Sequence, residues 1–214
     1  GITTPSIKYQ EGCSMNAIWA VKSLGIDPQN GKEIFLKQNG TVTYDYDVKD
    51  QVVCGDLLPK INGNIGFNGE IKGIGFSVSA NYRLGGQIYN ETLVNKIENV
   101  ALQYNVDRRV FTDRWKQAGD VTSIPRYGVT PQFDTHLLEN ASFLRLKNLS
   151  LGYTLPASLL ERTKVLSSAR VYVQAQNLFT FTDFSGMDPE SSSNVYKAQY
   201  PMTRQFTFGL EFTF

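Results

Sequence analysis

The chain carries a single histidine, His136, in the stretch QFDTHLLEN, so any histidine-dependent acyl transfer would have to use it. No G-x-S-x-G nucleophile motif accompanies it. One histidine and two distant cysteines also lack the ligand spacing of a zinc site. His136 is therefore expected to be a solvated loop residue ahead of a strand, and no catalytic or metal-binding residue is assigned. The stretch TYDYDVKD gathers Asp45, Asp47 and Asp50, oxygen ligands of the kind calcium takes. It lacks the glycine and closing glutamate of an EF-hand loop, so a solvated hairpin strand is the expectation. RLGGQ, Arg83 to Gln87, is not a phosphate loop: no Lys-Ser/Thr follows, and its glycines suit a strand end that bends or packs closely. Cys13 and Cys54 allow one disulfide in an oxidising compartment or two free thiols. No cofactor is implied.

The elements that must position the polar residues are strands. Apolar residues take every second place in Ile61 to Ile71 (Ile61, Ile65, Phe67, Ile71). The same holds in Ile74 to Leu84 (Ile74, Phe76, Val78, Ala80, Tyr82, Leu84), and Lys72-Gly73 between them predicts a hairpin turn. Ser142 to Pro156 alternates with one slip of phase, which predicts a bulge near Lys147-Asn148. Arg170 to Phe181 and RQFTFGLEFTF, Arg204 to Phe214, complete the set. The alternation divides the chain into strands at 61–71, 74–86, 142–155, 169–181 and 204–214, with long connections at 1–60, 89–141 and 183–203. Residues 1–60 hold a low-contrast first strand around Asn16 to Leu24 and a small hairpin with turns at Pro28 to Gly31 and Asn39-Gly40. Asn90 to Gln103 has helical spacing behind a capping Asn90. On the polar face are expected Arg83, Arg145, Lys147, Arg170, Gln174, Gln176 and Glu211. These side chains can touch a passing polar solute or bond one another. Trp115, Tyr127 and Tyr196, in the long connections, are of the type that stacks on sugar rings.

Composition narrows the class. Lys plus Arg is 21 against 20 acidic residues, a net charge of +1, which leaves no footprint for nucleic acid or an anionic membrane surface. Aromatics at 12% and 18 glycines lean toward β structure with many turns. No apolar run approaches the about 20 residues of a membrane helix. The chain begins at Gly1 rather than Met, as a processed or truncated chain does.

Alternation suits a soluble sandwich as well as a membrane wall. Three features favour the wall: a polar face rich in Asn, Gln, Ser and Gly; aromatics near strand ends (Tyr82, Tyr153, Phe179, Phe181, Phe212, Phe214); and a final strand with no polar tail. Long and short connections alternate, as on the two rims of an outer-membrane barrel. Five or six strands cannot close, because the smallest such barrels have about 8, so the chain reads as a piece of something larger. The alternative is a free-standing soluble β domain that binds carbohydrate or a protein partner.

The ending NLFTFTDFSGMDPE…YPMTRQFTFGLEFTF resembles the C-terminus of SusC/RagA-type TonB-dependent outer-membrane transporters. So do ASFLRLKNLSLGYTLP, NVDRRVFTDRW…GDVT with a break at Lys116 to Ala118, LGGQIYN and GIDPQNGKEIF, in order along the chain. The resemblance implies an all-β fold: antiparallel up-and-down strands forming the C-terminal part of a transmembrane barrel, with long external loops. It implies import of oligosaccharides or peptides without covalent chemistry, across the outer membrane of a Bacteroidota-type Gram-negative bacterium. It also implies the partners: the lipid bilayer, a SusD-like surface lipoprotein, and TonB–ExbB–ExbD acting through an N-terminal part not in this sequence. Phe208, Leu210, Phe212 and Phe214 are expected to serve as the assembly signal, with Phe214 as the terminal aromatic read by the insertion machinery.

Overall fold

The computed structural model describes residues 8–161, 164–190, 195–197 and 199–214. Among these residues the strands are β1 (Ala17–Ala20), β2 (Lys22–Ile26), β3 (Glu33–Leu36), β4 (Val42–Thr43), β5 (Val52–Asp56), β6 (Ile61–Ile71), β7 (Ile74–Leu84), β8 (Gln87–Tyr89), β9 (Leu138–Asn140), β10 (Phe143–Thr154), β11 (Ser168–Thr182) and β12 (Gln205–Thr213). No described helix is long and apolar enough to cross a membrane. The chain forms two compact units. One is a sheet unit of Lys60–Leu84, Ser142–Asp183 and Tyr200–Phe214; the other is a loop unit of Gly1–Pro59, Gly85–Ala141 and Phe184–Gln199.

The sheet unit is a single antiparallel sheet in the order β12-β11-β10-β7-β6. Lys72 and Gly73 join β6 to β7 with φ of 51° and 81°, the left-handed pair that a two-residue hairpin needs to match strand twist. A Cβ on Gly73 would also lie 2.8 Å from the Thr154 carbonyl oxygen, so the turn is held close to β10. The β10 register steps between Leu146 and Asn148 against both neighbours, leaving Lys147 as the bulged residue. This is where the sequence alternation slips. The bulge restores Leu144 and Leu146 to the face of Leu149, Leu151 and Tyr153. Ala157–Leu160 forms one helical turn in the link to β11.

The apolar parity of this sheet covers no core. Ile65, Phe67, Leu151, Val171, Phe179, Phe181, Phe206, Phe208, Leu210 and Phe212 are all exposed, Phe208 by 80%. In water such a face would be a severe liability, since isolated monomers rarely expose large contiguous apolar patches. On it aromatic rings cover glycines: a Cβ on Gly63 would lie 2.6 Å from the Tyr82 hydroxyl, and one on Gly69 3.0 Å from the Phe76 ring. Each ring thus fills a place that any larger residue would occupy.

The loop unit has cores of its own, assembled from the long connections. Ile18, Ala20, Tyr89, Val94 and Phe133 form one cluster. Ile88, Ala141, Phe184 and Tyr196 form a second, and Ile97, Val110 and Ile124 a third. Tyr89 and Phe133 pack edge-on at 4.4 Å between centroids, and Phe184 and Tyr196 at 5.0 Å. Each fully buried large side chain contributes roughly 1.5–3 kcal/mol. Isolated bridges Val21–Asp134 and Tyr89–Val195 tie the three chain segments together.

Local readings of these segments need revision. The strand expected over Asn16 to Leu24 is two strands, because β1 pairs with β5 while β2 pairs with β3. The helix expected to run to Gln103 stops at Glu98 and ends in a π turn, Val94–Glu98, although Asn90 does cap it by accepting from the Leu93 N–H. Gly85 and Gly86, which follow β7, have φ of 79° and 81°, left-handed values that glycine adopts without strain.

Candidate functional site: the polar face of the sheet

The register of the sheet unit arranges its polar parity into rows across the strands. Asn62, Arg83, Phe143 and Thr182 form the row at the end where β7 and β11 finish and β6, β10 and β12 begin. Next come Asn64, Asn81, Arg145 and Thr180, then Gly66, Ser79, Asn148, Gln176 and Gln205, then Asn68, Ser77, Ser150, Gln174 and Thr207. Glu70, Gly75, Gly152, Tyr172 and Gly209 follow, and Thr154, Arg170 and Glu211 close the series. The charges therefore sit at the two ends. Between them lie two full rows of amides, hydroxyls and glycine.

Hydrogen bonds within and between adjacent rows show that these side chains share a face. Asn64 Nδ2 donates to Asn81 Oδ1 at 2.6 Å, Gln174 Nε2 to Asn148 Oδ1 at 2.8 Å, and Arg145 Nε to Thr180 Oγ1 at 2.9 Å. Arg145 is only 2% exposed and stacks its guanidinium 5.4 Å from the Phe143 ring. Arg83 is half-buried, whereas Arg170 and Gln176 are exposed. Lys147, as the bulged residue, falls outside the rows. Tyr172 lies across Gly209, where a Cβ would come within 2.2 Å of the ring, and Arg170 lies over Gly152 with its Nε 2.9 Å from where a Cβ would be. The two glycines let these long side chains lie flat along the sheet instead of standing out from it.

Other candidate residues have structural partners. Asp47 accepts from the Lys49 N–H at 2.9 Å and Asp50 from the Gln38 N–H at 3.1 Å, in a 3-10 turn and not in a hairpin strand. Cys13 and Cys54 are two free thiols rather than a bridge; Cys54 Sγ contacts the Ala20 and Val52 carbonyl oxygens. Of the three loop aromatics, Tyr196 is buried in a core cluster, and Trp115 packs on Gly31 while donating from Nε1 to the Pro28 carbonyl at 3.0 Å. Tyr127 is exposed, with the Arg114 guanidinium 5.8 Å from its ring.

His136 is a correction. Its side chain is 12% exposed, not solvated, and its Nε2 stands 3.3 Å from Glu98 Oε1, itself 9% exposed. Burial opposes the imidazolium, but the Glu98 hydrogen bond and the charges of Glu98, Glu33 and Asp134 outweigh it and hold the pKa at about 9. The residue is a charged, paired group inside the loop unit. Only tertiary contacts bring Glu33, Glu98, Asp134 and His136 together, so no spacing in the sequence marks the cluster.

No protein-family model matches the chain. It is similar to TonB-dependent receptor P3 of Formosa agariphila, 32% identical over 209 residues, which cover 90% of this chain and 20% of that receptor. It is also similar to TonB-dependent receptor SusC of Bacteroides thetaiotaomicron, 26% identical over 219 residues, 100% of this chain and 21% of SusC. Among solved structures, the RagAB peptide importer in its open-open state matches with a TM-score of 0.83 and 35% identity, over 92% of this chain and 22% of that one. The chain thus spans about a fifth of the length of the curated relatives it matches. An antiparallel sheet with an exposed apolar face, a polar face laid out in rows, and these likenesses in sequence and fold agree: the chain is SusC/RagA-like and corresponds to a stretch of about a fifth of such TonB-dependent receptors, with strands of the barrel-wall kind and the loops they carry.

Proposed function

We propose that the chain is the C-terminal wall segment of an energised outer-membrane importer of oligosaccharides or peptides. The carrying observation is the sheet unit: one face apolar and exposed, as lipid contact demands, and the other face neutral and hydrogen-bonding through its central rows. Amides and hydroxyls exchange hydrogen bonds equally well with sugar hydroxyls and with peptide groups. Arg83, Arg145, Lys147, Arg170, Gln174 and Gln176 are proposed to line the solute path. The parent protein is proposed to sit in the outer membrane of a Bacteroidota-type bacterium, to be closed by a SusD-like surface lipoprotein, and to draw energy from TonB–ExbB–ExbD. Segments 1–60, 89–141 and 183–203 would face outward. The work is transport, with no covalent chemistry. Deleting the parent gene should abolish growth on one oligosaccharide or peptide source, and a TonB-uncoupled variant should do the same. Unchanged growth on every such source would overturn the reading.

Phe208, Leu210, Phe212 and Phe214 are proposed as the signal by which the insertion machinery recognises the barrel. Replacing Phe214 with Asp in the full-length protein should sharply lower the amount of folded, heat-modifiable barrel in the outer membrane; normal insertion would refute this.

A further inference from the structure

Within the loop unit, β3, the residues just after β4 and the stretch 126–132 enclose a cleft of about 460 Å³. That volume lies inside the about 300–1,000 Å³ typical of small-ligand sites. Alternation along β3 buries Glu33 and Phe35, at 8% and 4% exposure, and these two form the floor. Tyr46 stands edge-on to Phe35 at 5.5 Å between centroids and donates from its hydroxyl to the Phe133 carbonyl at 2.9 Å. Tyr44 is different: it is 48% exposed, and its hydroxyl donates to Asp27 Oδ2. Asp27 is fixed in turn by the Gln29 N–H at 2.8 Å and the Asn30 side-chain amide at 2.9 Å. The Tyr44 ring is therefore held in place before any ligand arrives.

Charged groups of both signs surround that ring. Lys32 Nζ lies 6.0 Å from its centroid, and the Arg126 N–H is tied to the Gly31 carbonyl at 2.9 Å. Lys32, Asp45 and Arg126 are exposed at the cleft. Among the described residues the Asp45 carboxylate and the Arg126 guanidinium hold no hydrogen bond or ion pair. Gln132 adds an amide that both donates and accepts. We propose that this cleft is a saccharide subsite, taking one pyranose unit of an oligosaccharide with its C–H face on Tyr44 and its hydroxyls on Asp45, Arg126, Lys32 and Gln132. The negative face of an aromatic ring attracts the C–H bonds of a sugar face, and each hydroxyl both donates and accepts, so it satisfies a carboxylate and a guanidinium alike. A purely apolar ligand would strip water from the same charges without replacing it. A peptide gains most from an open strand edge, and β4, the outer strand of its sheet here, is only two residues long. The inference rests on the importer reading and narrows its cargo from oligosaccharide or peptide to oligosaccharide.

The test is saturation-transfer NMR on the full-length protein in a sugar-free detergent. One probe is a mixture of maltohexaose, cellohexaose, xylohexaose, mannohexaose and laminarihexaose; the other is a mixture of Ala-Gly-Ser hexapeptides. Transfer to the ring protons of at least one sugar is expected, with Tyr44→Ala weakening that binding about tenfold, as truncating an aromatic anchor does. Asp45→Ala changes an exposed side chain that holds nothing else, so it should keep the fold and weaken the same sugar several-fold. It decides the matter if Tyr44→Ala fails to insert, and heat-modifiable gel migration reports insertion for both. No transfer to any sugar, or equal transfer in wild type and the inserted variants, would overturn the subsite. Transfer to the peptides alone would overturn the saccharide assignment and leave the importer standing. The importer reading fails on a different result, unchanged growth after deletion of the parent gene.

Discussion

His136 and Gly209 show how much a single residue carries. Removing the imidazole in His136→Ala leaves Glu98 buried without its cation, and breaking a buried pair in this way costs roughly 3–5 kcal/mol. The ring's folded-state pKa of about 9 lies above its ordinary 6.5, so its contribution is full below 6.5 and disappears as pH rises through about 9. Limited proteolysis of the loop unit in the full-length protein should therefore separate wild type from His136→Ala near neutrality, and the two should converge in strong alkali. Gly209 makes a steric demand: a Cβ there meets the Tyr172 ring at 2.2 Å. Gly209→Ala should destabilise the folded barrel by roughly 1–3 kcal/mol, the usual range for overpacking. Adding Tyr172→Ala should recover much of that loss in urea titrations of the detergent-solubilised protein, because the clash then has no second party.

At the level of the strand, neighbours on β12 should behave oppositely. Phe208 is 80% exposed on the apolar face, and the register places Thr207 in a polar row with Gln174. An arginine on the lipid side near the midplane costs roughly 2–4 kcal/mol, while the same change toward the interior is tolerated. Phe208→Arg should thus reduce heat-modifiable folded protein where Thr207→Arg leaves it nearly intact; equal behaviour would mean the two faces are wrongly assigned. The β10 bulge gives a sharper check. Deleting Lys147 makes Leu146 and Asn148 consecutive opposite Ala80 and Ser79, so the bulge closes while Arg145 keeps its face and its bond to Thr180. The deletion should therefore insert about as well as Lys147→Ala, measured by the same gel shift; a large loss would contradict the assignment of Lys147 as the extra residue.

For the molecule as a whole, the sheet is open at both edges among the described residues. Among the described residues β6 and β12 are its outer strands, each paired on one side, and the apolar face is exposed. Expressed alone in water, the 214-residue chain is expected to aggregate and to need detergent for dispersion; a monodisperse, detergent-free monomer would contradict the barrel-wall assignment. The loop unit, by contrast, packs three hydrophobic clusters of its own.

What the amino-acid order determined by itself was the sheet. Period-two alternation is a local property of consecutive residues, so the faces of β6, β7, β10, β11 and β12, the Lys72-Gly73 turn and the slip at Lys147 were all legible. The exposed phenylalanines of RQFTFGLEFTF read the same way before and after folding. The tertiary structure alone decided what the long connections are. Their cores are assembled from residues far apart in the chain, such as Ile18, Tyr89 and Phe133, with no periodicity to betray them. It also decided the state of His136, because charge and protonation depend on burial and on neighbours that only the folded chain supplies. Pattern is written along the chain, whereas electrostatic environment exists only across it.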